Sequence, residues 1–142
     1  MRLTRATNYA LRALVELARR GCATNADLRS LARELNAPGA FLGKVLQTLA
    51  HAGLVEGCRG VKGGYRLARP PEKIDVRDVV ESMEGKIELA ECQSSGSTCS
   101  RRRGCEVGMF WRRLQDRIHQ ELESETVASL AAGNGHSVGS ER

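Results

Sequence analysis

A mostly α-helical fold with one small β-hairpin wing is what this sequence predicts: a winged helix-turn-helix domain followed by a long dimerisation helix. Three observations carry that expectation. Two short amphipathic stretches flank the turn Asn36-Ala37-Pro38-Gly39, and a hairpin with the basic tip Arg59-Gly60-Val61-Lys62-Gly63-Gly64 follows at once. An apolar stripe at helical spacing then runs from Val107 to Leu122.

In chain order, Thr4 is placed to cap a helix from about Arg5 to Arg20, stopped by Gly21. Ala10, Ala13, Leu14, Leu17 and Ala18 have the spacing of one buried face, leaving Arg12, Glu16 and Arg19 on the other. Thr24 and Asp27 have capping-box spacing, with Asp27 in place of the usual Glu or Gln, ahead of a short second helix on Leu28, Leu31, Ala32 and Leu35. Pro38 suits the first position of a third helix, where its missing N–H would have had no partner. From Gly39 to Ala52, Leu42, Val45, Leu46 and Leu49 point inward, while Lys44, Gln47, Thr48 and His51 share the opposite face. An ordinary helical hairpin would show the same pattern. The next residues favour DNA binding: Leu54 to Cys58 reads as a strand, Tyr65-Arg66-Leu67 as its return, and Arg59 and Lys62 lie at a tip that could reach a phosphate or a narrow minor groove.

Arg69-Pro70-Pro71 then ends the winged head, and a short helix near Val76 to Met83, capped by Asp75, leads to Gly85. Val107, Trp111, Leu114, Ile118 and Leu122 recur at intervals of four and three, so a helix from Glu106 to Glu123 would be about 27 Å long. So small a chain leaves that stripe few partners of its own, which predicts packing against the same helix of a second subunit; the alternative is that it covers its own winged head. Thr126 to Ala132 forms one more short helix. The expected plan is therefore a DNA-binding domain over 1–70, a connecting helix over 71–91, a cysteine loop over 92–105, a dimerisation region over 106–132 and a disordered tail over 133–142.

Composition limits the function classes. The 142 residues suffice for one compact domain, or for a small domain plus an oligomerisation segment, and are too few for two large ones. No apolar run approaches the roughly 18 residues that span a bilayer, and Arg2, Thr4 and Arg5 precede an amphipathic pattern rather than a signal peptide, so a cytoplasmic protein with no membrane partner is expected. Residues 1–70 hold 12 Lys or Arg against 4 Asp or Glu, whereas residues 71–142 hold 10 against 13. That segregation marks the first half as the polyanion-binding half.

Cys92, Cys99 and Cys105 share the loop ECQSSGSTCSRRRGCE, whose serines and glycines could let three thiolates meet at one point. Five cysteines in all, an odd number, argue against a secreted disulfide framework and for thiols kept reduced. Soft thiolates select iron–sulfur clusters, zinc or cuprous copper, and the CxxC knuckle usual for structural zinc is absent. Cys22, after the first helix, and Cys58, in the wing, are expected to be buried or bystander thiols. The run Arg101-Arg102-Arg103 either offsets the charge of a thiolate-bound group or is simply solvated.

The segments MRLTRATNYALRAL, AFLGKVLQTLAHAGLVE, RGVKGGYRLARPPEKI and the AEC…C…C loop before a long helix resemble, in order and spacing, the Rrf-type iron–sulfur regulators that include IscR, NsrR and RirA. The resemblance covers about residues 1 to 132. It implies a homodimeric winged-helix transcription factor, a repressor sensing iron, redox state or nitric oxide, whose loop cysteines hold an iron–sulfur cluster and whose affinity for a double-stranded DNA operator follows the state of that cluster. Departures within the family bear on the fourth ligand. IscR-like members place a histidine where this chain has Gly108, and nitric-oxide sensors place an acid, given by the other subunit, at the position of Asn8; RirA-like sensors share the TNYA stretch. Together these imply a [4Fe-4S] cluster on three cysteines with one iron held weakly by Asn8, water or a small thiol, the alternative being [2Fe-2S]. His119, about four turns beyond Cys105, is too far for easy ligation.

Expected DNA contacts are Ala40, Phe41, Lys44, Gln47 and Thr48 in the third helix, Arg59 and Lys62 in the wing, and Arg2 and Thr4 beside the first helix. Where IscR-like members carry a glutamate this chain has Gly43, so any switch of site preference resting on that acid is not carried over. A cluster-free thiol switch remains the main alternative. A thiol oxidoreductase is the enzymatic one, but a CxxC pair, a nucleotide-binding glycine fingerprint and a Ser/His/Asp set are all missing, so no catalytic residues are assigned.

Overall fold

A computed structural model describes residues 2–133. Six α-helices and one hairpin follow in the order α1 (Arg5–Arg20), α2 (Leu28–Glu34), α3 (Gly39–His51), β1 (Val55–Cys58), β2 (Gly64–Leu67), α4 (Val76–Glu84), α5 (Glu106–Ser124) and α6 (Val127–Ala131). Short 3₁₀ turns occupy Pro71–Lys73 and Glu91–Gln93. The tail expected from residue 133 lies, beyond Gly133, outside the described residues.

The first helix keeps its expected limits: Thr4 Oγ1 accepts from Thr7 N at 3.3 Å, and Gly21 ends the helix with φ +97°. Two caps differ from expectation. The side chain that caps α2 is Asp27, accepting from Ser30 N at 2.8 Å, and not Thr24, because residues 24–27 lie alongside the wing. Pro38 is the N-cap residue of α3 rather than its first helical residue, with extended backbone (φ −59°, ψ 131°); its ring fixes φ alone and leaves either position open.

Ala10, Ala13, Leu14 and Leu17 of α1 meet Leu31 of α2 and Leu42, Val45, Leu46 and Leu49 of α3 in one core. Ile74, Val79 and Val127 belong to that same core, which therefore runs past Pro70 into the second half of the chain. The helix α6 packs on α1, and the chain after α5 is tied back by Val76 N donating to Glu125 O (2.9 Å) and Val127 N to Ile74 O (2.8 Å). A smaller cluster of Val76, Val80 and Ile87 receives Ile118 and Leu122 of α5. Those two residues, expected to face a second subunit, are thus partly occupied within their own chain, because α5 crosses back over α4. At its other end Val107, Met109 and Phe110 stay 63%, 60% and 46% exposed.

Glu84, at the end of α4, anchors the start of α1. Its Oε1 accepts from the Thr7 hydroxyl, from Thr4 N (2.8 Å) and from Thr4 Oγ1 (2.7 Å), and Thr7 itself is fully buried. These bonds, the Thr7 hydroxyl first, hold the Glu84 carboxyl below its ordinary 4.5. Because the folded value is the lower one, the stabilisation is complete above the unfolded pKa and is lost as pH falls through the folded one. Glu84→Gln is therefore expected to flatten the acid decline of stability below about pH 4.5, read as urea midpoints over a pH series from about 3 to 7. An unchanged slope would remove Glu84 from the acid response.

Candidate functional site

Helices α2 and α3 form the helix-turn-helix. Asn36 adopts a left-handed φ of 50°, and Ala37 N returns to Ala32 O at 2.9 Å, so the chain reverses within four residues. Pro38 offers no side-chain cap to α3, and Pro38, Gly39 and Ala40 are exposed. The first N–H groups of a 13-residue helix therefore face outward at its positive end, where a phosphate is favoured. Lys44, Gln47 and His51 project from the exposed face. Thr48 is half-buried, and its hydroxyl turns back to Lys44 O at 3.1 Å.

Phe41 is half-buried as well, its ring meeting Tyr9 edge-on at 5.5 Å, with the Arg12 guanidinium 5.9 Å above the Tyr9 ring. Sequence reasoning missed this link between α1 and α3. The signal was there, since Tyr9 is one of only two tyrosines and lies outside the buried stripe of α1. Thr4 is committed to Thr7 and Glu84, whereas Arg2 is exposed.

The wing pairs Val55 with Leu67, Glu56 with Arg66, Gly57 with Tyr65 and Cys58 with Gly64. An ion pair joins Glu56 to Arg66 across the strands and raises the Arg66 pKa further. The hairpin is also tied to the segment before α2: Ala26 N donates to Tyr65 O and Tyr65 N to Ala26 O, both at 2.8 Å. Asn25 Nδ2 donates to Lys62 O at 3.0 Å, while its Oδ1 is buried without a partner. Arg59, Val61 and Lys62 stand exposed at the tip. Cys58 is half-buried in β1, and Cys22, expected to be buried or a bystander, is exposed.

The loop cysteines sit on separate pieces of backbone. Cys92 lies in the Glu91–Gln93 turn, Cys99 in exposed loop, and Cys105 is the N-cap of α5, its Sγ accepting from Gly108 N at 3.4 Å. All three line one cavity of about 300 Å³, together with Arg101, Arg102, Trp111 and Arg112. Arg103 is exposed and does not line it. Among the described residues no group of three or more His, Cys, Asp or Glu side chains is placed to hold a single metal ion. A single zinc needs every donor within about 2.3 Å of one centre, whereas a polynuclear iron–sulfur group places its own irons and sulfides between thiolates. Three soft donors lining one cavity with Arg101, Arg102 and Arg112 are compatible with the second kind of group. Asn8 is exposed on α1 and does not line the cavity. Neither does His119; its Nε2 is buried without a partner beside a second cavity, whose wall includes Gln93 and Arg102.

Helix-turn-helix, wing and exposed basic tip define a winged-helix DNA-binding regulator. The chain belongs to the Rrf2 family: residues 3–133 match the family model described as an iron-dependent transcriptional regulator. Protein aau3 of Rhizobium meliloti (strain 1021) is 37% identical over 135 residues, 92% of this chain and 84% of that protein. HTH-type transcriptional regulator CymR of Bacillus subtilis (strain 168) is 29% identical over 132 residues, 93% of this chain and 91% of that one. The solved structure of CymR, the global cysteine regulator of B. subtilis, matches with a TM-score of 0.76 at 28% identity across 94% of this chain and 98% of that chain. T. potens IscR matches at 0.74 across 100% and 94%, at 23% identity, which speaks to the fold alone. Among the described residues no helix is long and apolar enough to cross a membrane.

Proposed function

We propose that this transcriptional regulator is a cytoplasmic homodimeric repressor that grips operator DNA with α3 and the wing and carries an iron–sulfur cluster, of the [4Fe-4S] type, on Cys92, Cys99 and Cys105. The observation that carries this is the shared cavity: three cysteines from separate backbone segments line one space together with Arg101, Arg102 and Arg112. When bound, the cluster supplies a centre that iron supply, oxidants or nitric oxide can alter. The chain's own part is to hold soft donors apart at fixed positions, to offset their negative charge with guanidinium groups, and to transmit the loop's arrangement through α5. The exposed Val107, Met109 and Phe110 at the loop end of α5 are the surface for a second copy, which would bring its Asn8 as a weak fourth ligand. On the DNA side, Lys44 and Gln47 read the major groove, while Arg59 and Lys62 hold phosphate or minor groove. Ala40, Phe41, Thr48, Arg2 and Thr4 complete the proposed contact set.

Arg59→Ala should weaken binding uniformly across operator sequences and lower the slope of log affinity against log salt by about 1, measured by fluorescence anisotropy over a salt series. Unchanged affinity at moderate salt would take the wing out of the interface. For the cluster, native mass spectrometry after anaerobic reconstitution should give two chains and four irons per chain. A stable two-iron species or full zinc occupancy would overturn the assignment.

A cluster-free thiol switch at the same cysteines is the second reading, favoured by the likeness to CymR, the global cysteine regulator of B. subtilis. Protein that never takes up iron, yet changes DNA affinity between reduced and oxidised thiols, would establish it instead.

A further inference from the structure

Between the turn that carries Cys92 and the helix end that carries Cys105 lies one side chain bonded to both. Gln93 Nε2 donates to Gly108 O at 3.1 Å and approaches Cys92 Sγ at 3.5 Å, and Gln93 Oε1 accepts from Arg112 Nε at 3.4 Å. The partners fix the amide's orientation. A carbonyl can only accept and a guanidinium can only donate, so the NH₂ must face Gly108 and the oxygen must face Arg112. An N–H is thereby aimed at the Cys92 sulfur. Gly108 N in turn donates to Cys105 Sγ at 3.4 Å, so two of the three sulfurs receive an N–H while Cys99 Sγ, among the described residues, receives none.

From this geometry we infer that Gln93 is a positioning residue for the cluster: it locks the Cys92 arm onto the first turn of α5 and donates a hydrogen bond to a ligand sulfur. The inference rests on the cluster assignment above. A hydrogen bond to a thiolate ligand withdraws negative charge from the sulfur, which favours the more negative, reduced state of the bound group and raises its potential. The same bond keeps Cys92 and Cys105 in register when ligation is loosened, which slows loss of iron.

The test compares anaerobically loaded full-length wild type with Gln93→Met, Gln93→Glu and Gln93→Lys. Met has similar length and charge but no donor, Glu keeps an acceptor for Arg112 and loses the donor, and Lys keeps a donor. The readouts are the midpoint potential of the bound cluster and the rate of iron loss to a chelator. Met should lower the midpoint, Glu should lower it further, and Lys should leave it at or above wild type. Iron loss should accelerate on the order of 10-fold for Met and Glu. A purely structural role would lower stability without lowering the midpoint of the neutral Met variant, the comparison that introduced charge does not move. If wild type carries iron while Met and Glu match it in midpoint and rate, or all three variants fall alike, the Gln93 inference is overturned and the cluster reading stands. If wild type takes up no iron, both fall together.

Discussion

Cys105→Ser should leave a folded, colourless protein. Cys105 has two tasks that serine separates: its sulfur caps α5 by accepting from Gly108 N, and it is one of three proposed cluster ligands. Serine is among the favoured N-cap residues, so the helix end keeps an acceptor and α5 should persist. A neutral hydroxyl is a far poorer ligand for iron than a thiolate. The expected result is unchanged far-UV circular dichroism and thermal midpoint for the apo protein, with loss of nearly all iron and visible absorption after anaerobic reconstitution. Iron retained at the wild-type level would remove Cys105 from the ligand set. A collapse of helicity would instead show that the sulfur's role is chiefly structural.

Gly64→Val should unfasten the wing. Gly64 has φ +150°, and an added Cβ would sit 2.6 Å from the carbonyl carbon of Ala26 and 2.9 Å from Asp27 N. Both obstacles are backbone, which cannot rotate aside as a side chain would, so the hairpin must leave the 24–27 segment. Doing so breaks the paired 2.8 Å bonds between Ala26 and Tyr65 and the Asn25 hold on Lys62. A loss on the order of 2–3 kcal/mol is expected from the urea midpoint. Operator affinity should fall further than with Arg59→Ala, since the whole tip is displaced rather than one charge removed. Gly57→Ala is the control, as its Cβ would meet nothing nearer than the Tyr65 ring at 3.8 Å. Equal affinity for Gly64→Val and wild type would mean that the wing does not need this anchor to reach DNA.

Much of the helical fold could be read locally. Thr4 and Gly21 bracket α1, Asp75 starts α4, and the inward set Leu42, Val45, Leu46 and Leu49 is buried as its spacing requires. What could not be read locally depends on partners distant in sequence. Thr24 and Asp27 are both competent caps, and the choice falls to Asp27 where Ala26 pairs with Tyr65, 39 positions on. Ile118 and Leu122 have the spacing of a dimer seam, yet the cluster around Val80 claims part of their surface. In the cysteine loop, residue type pointed to soft-metal chemistry, but spacing alone could not distinguish thiols that converge from thiols arrayed around a cavity. Gln93 carried no local signal at all, because Gly108 and Arg112 become its neighbours only once the loop closes on α5.

In the proposed switch, the group held by Cys92, Cys99 and Cys105 governs the hold on DNA. One anaerobic sample, its iron and sulfide counted, should be titrated with fluorescent DNA from its own promoter before and after a chelator removes the iron. At least a tenfold change in dissociation constant, absent from Cys105→Ser taken through the same steps, is the predicted result. Identical binding by the iron-loaded and iron-free forms would contradict the account.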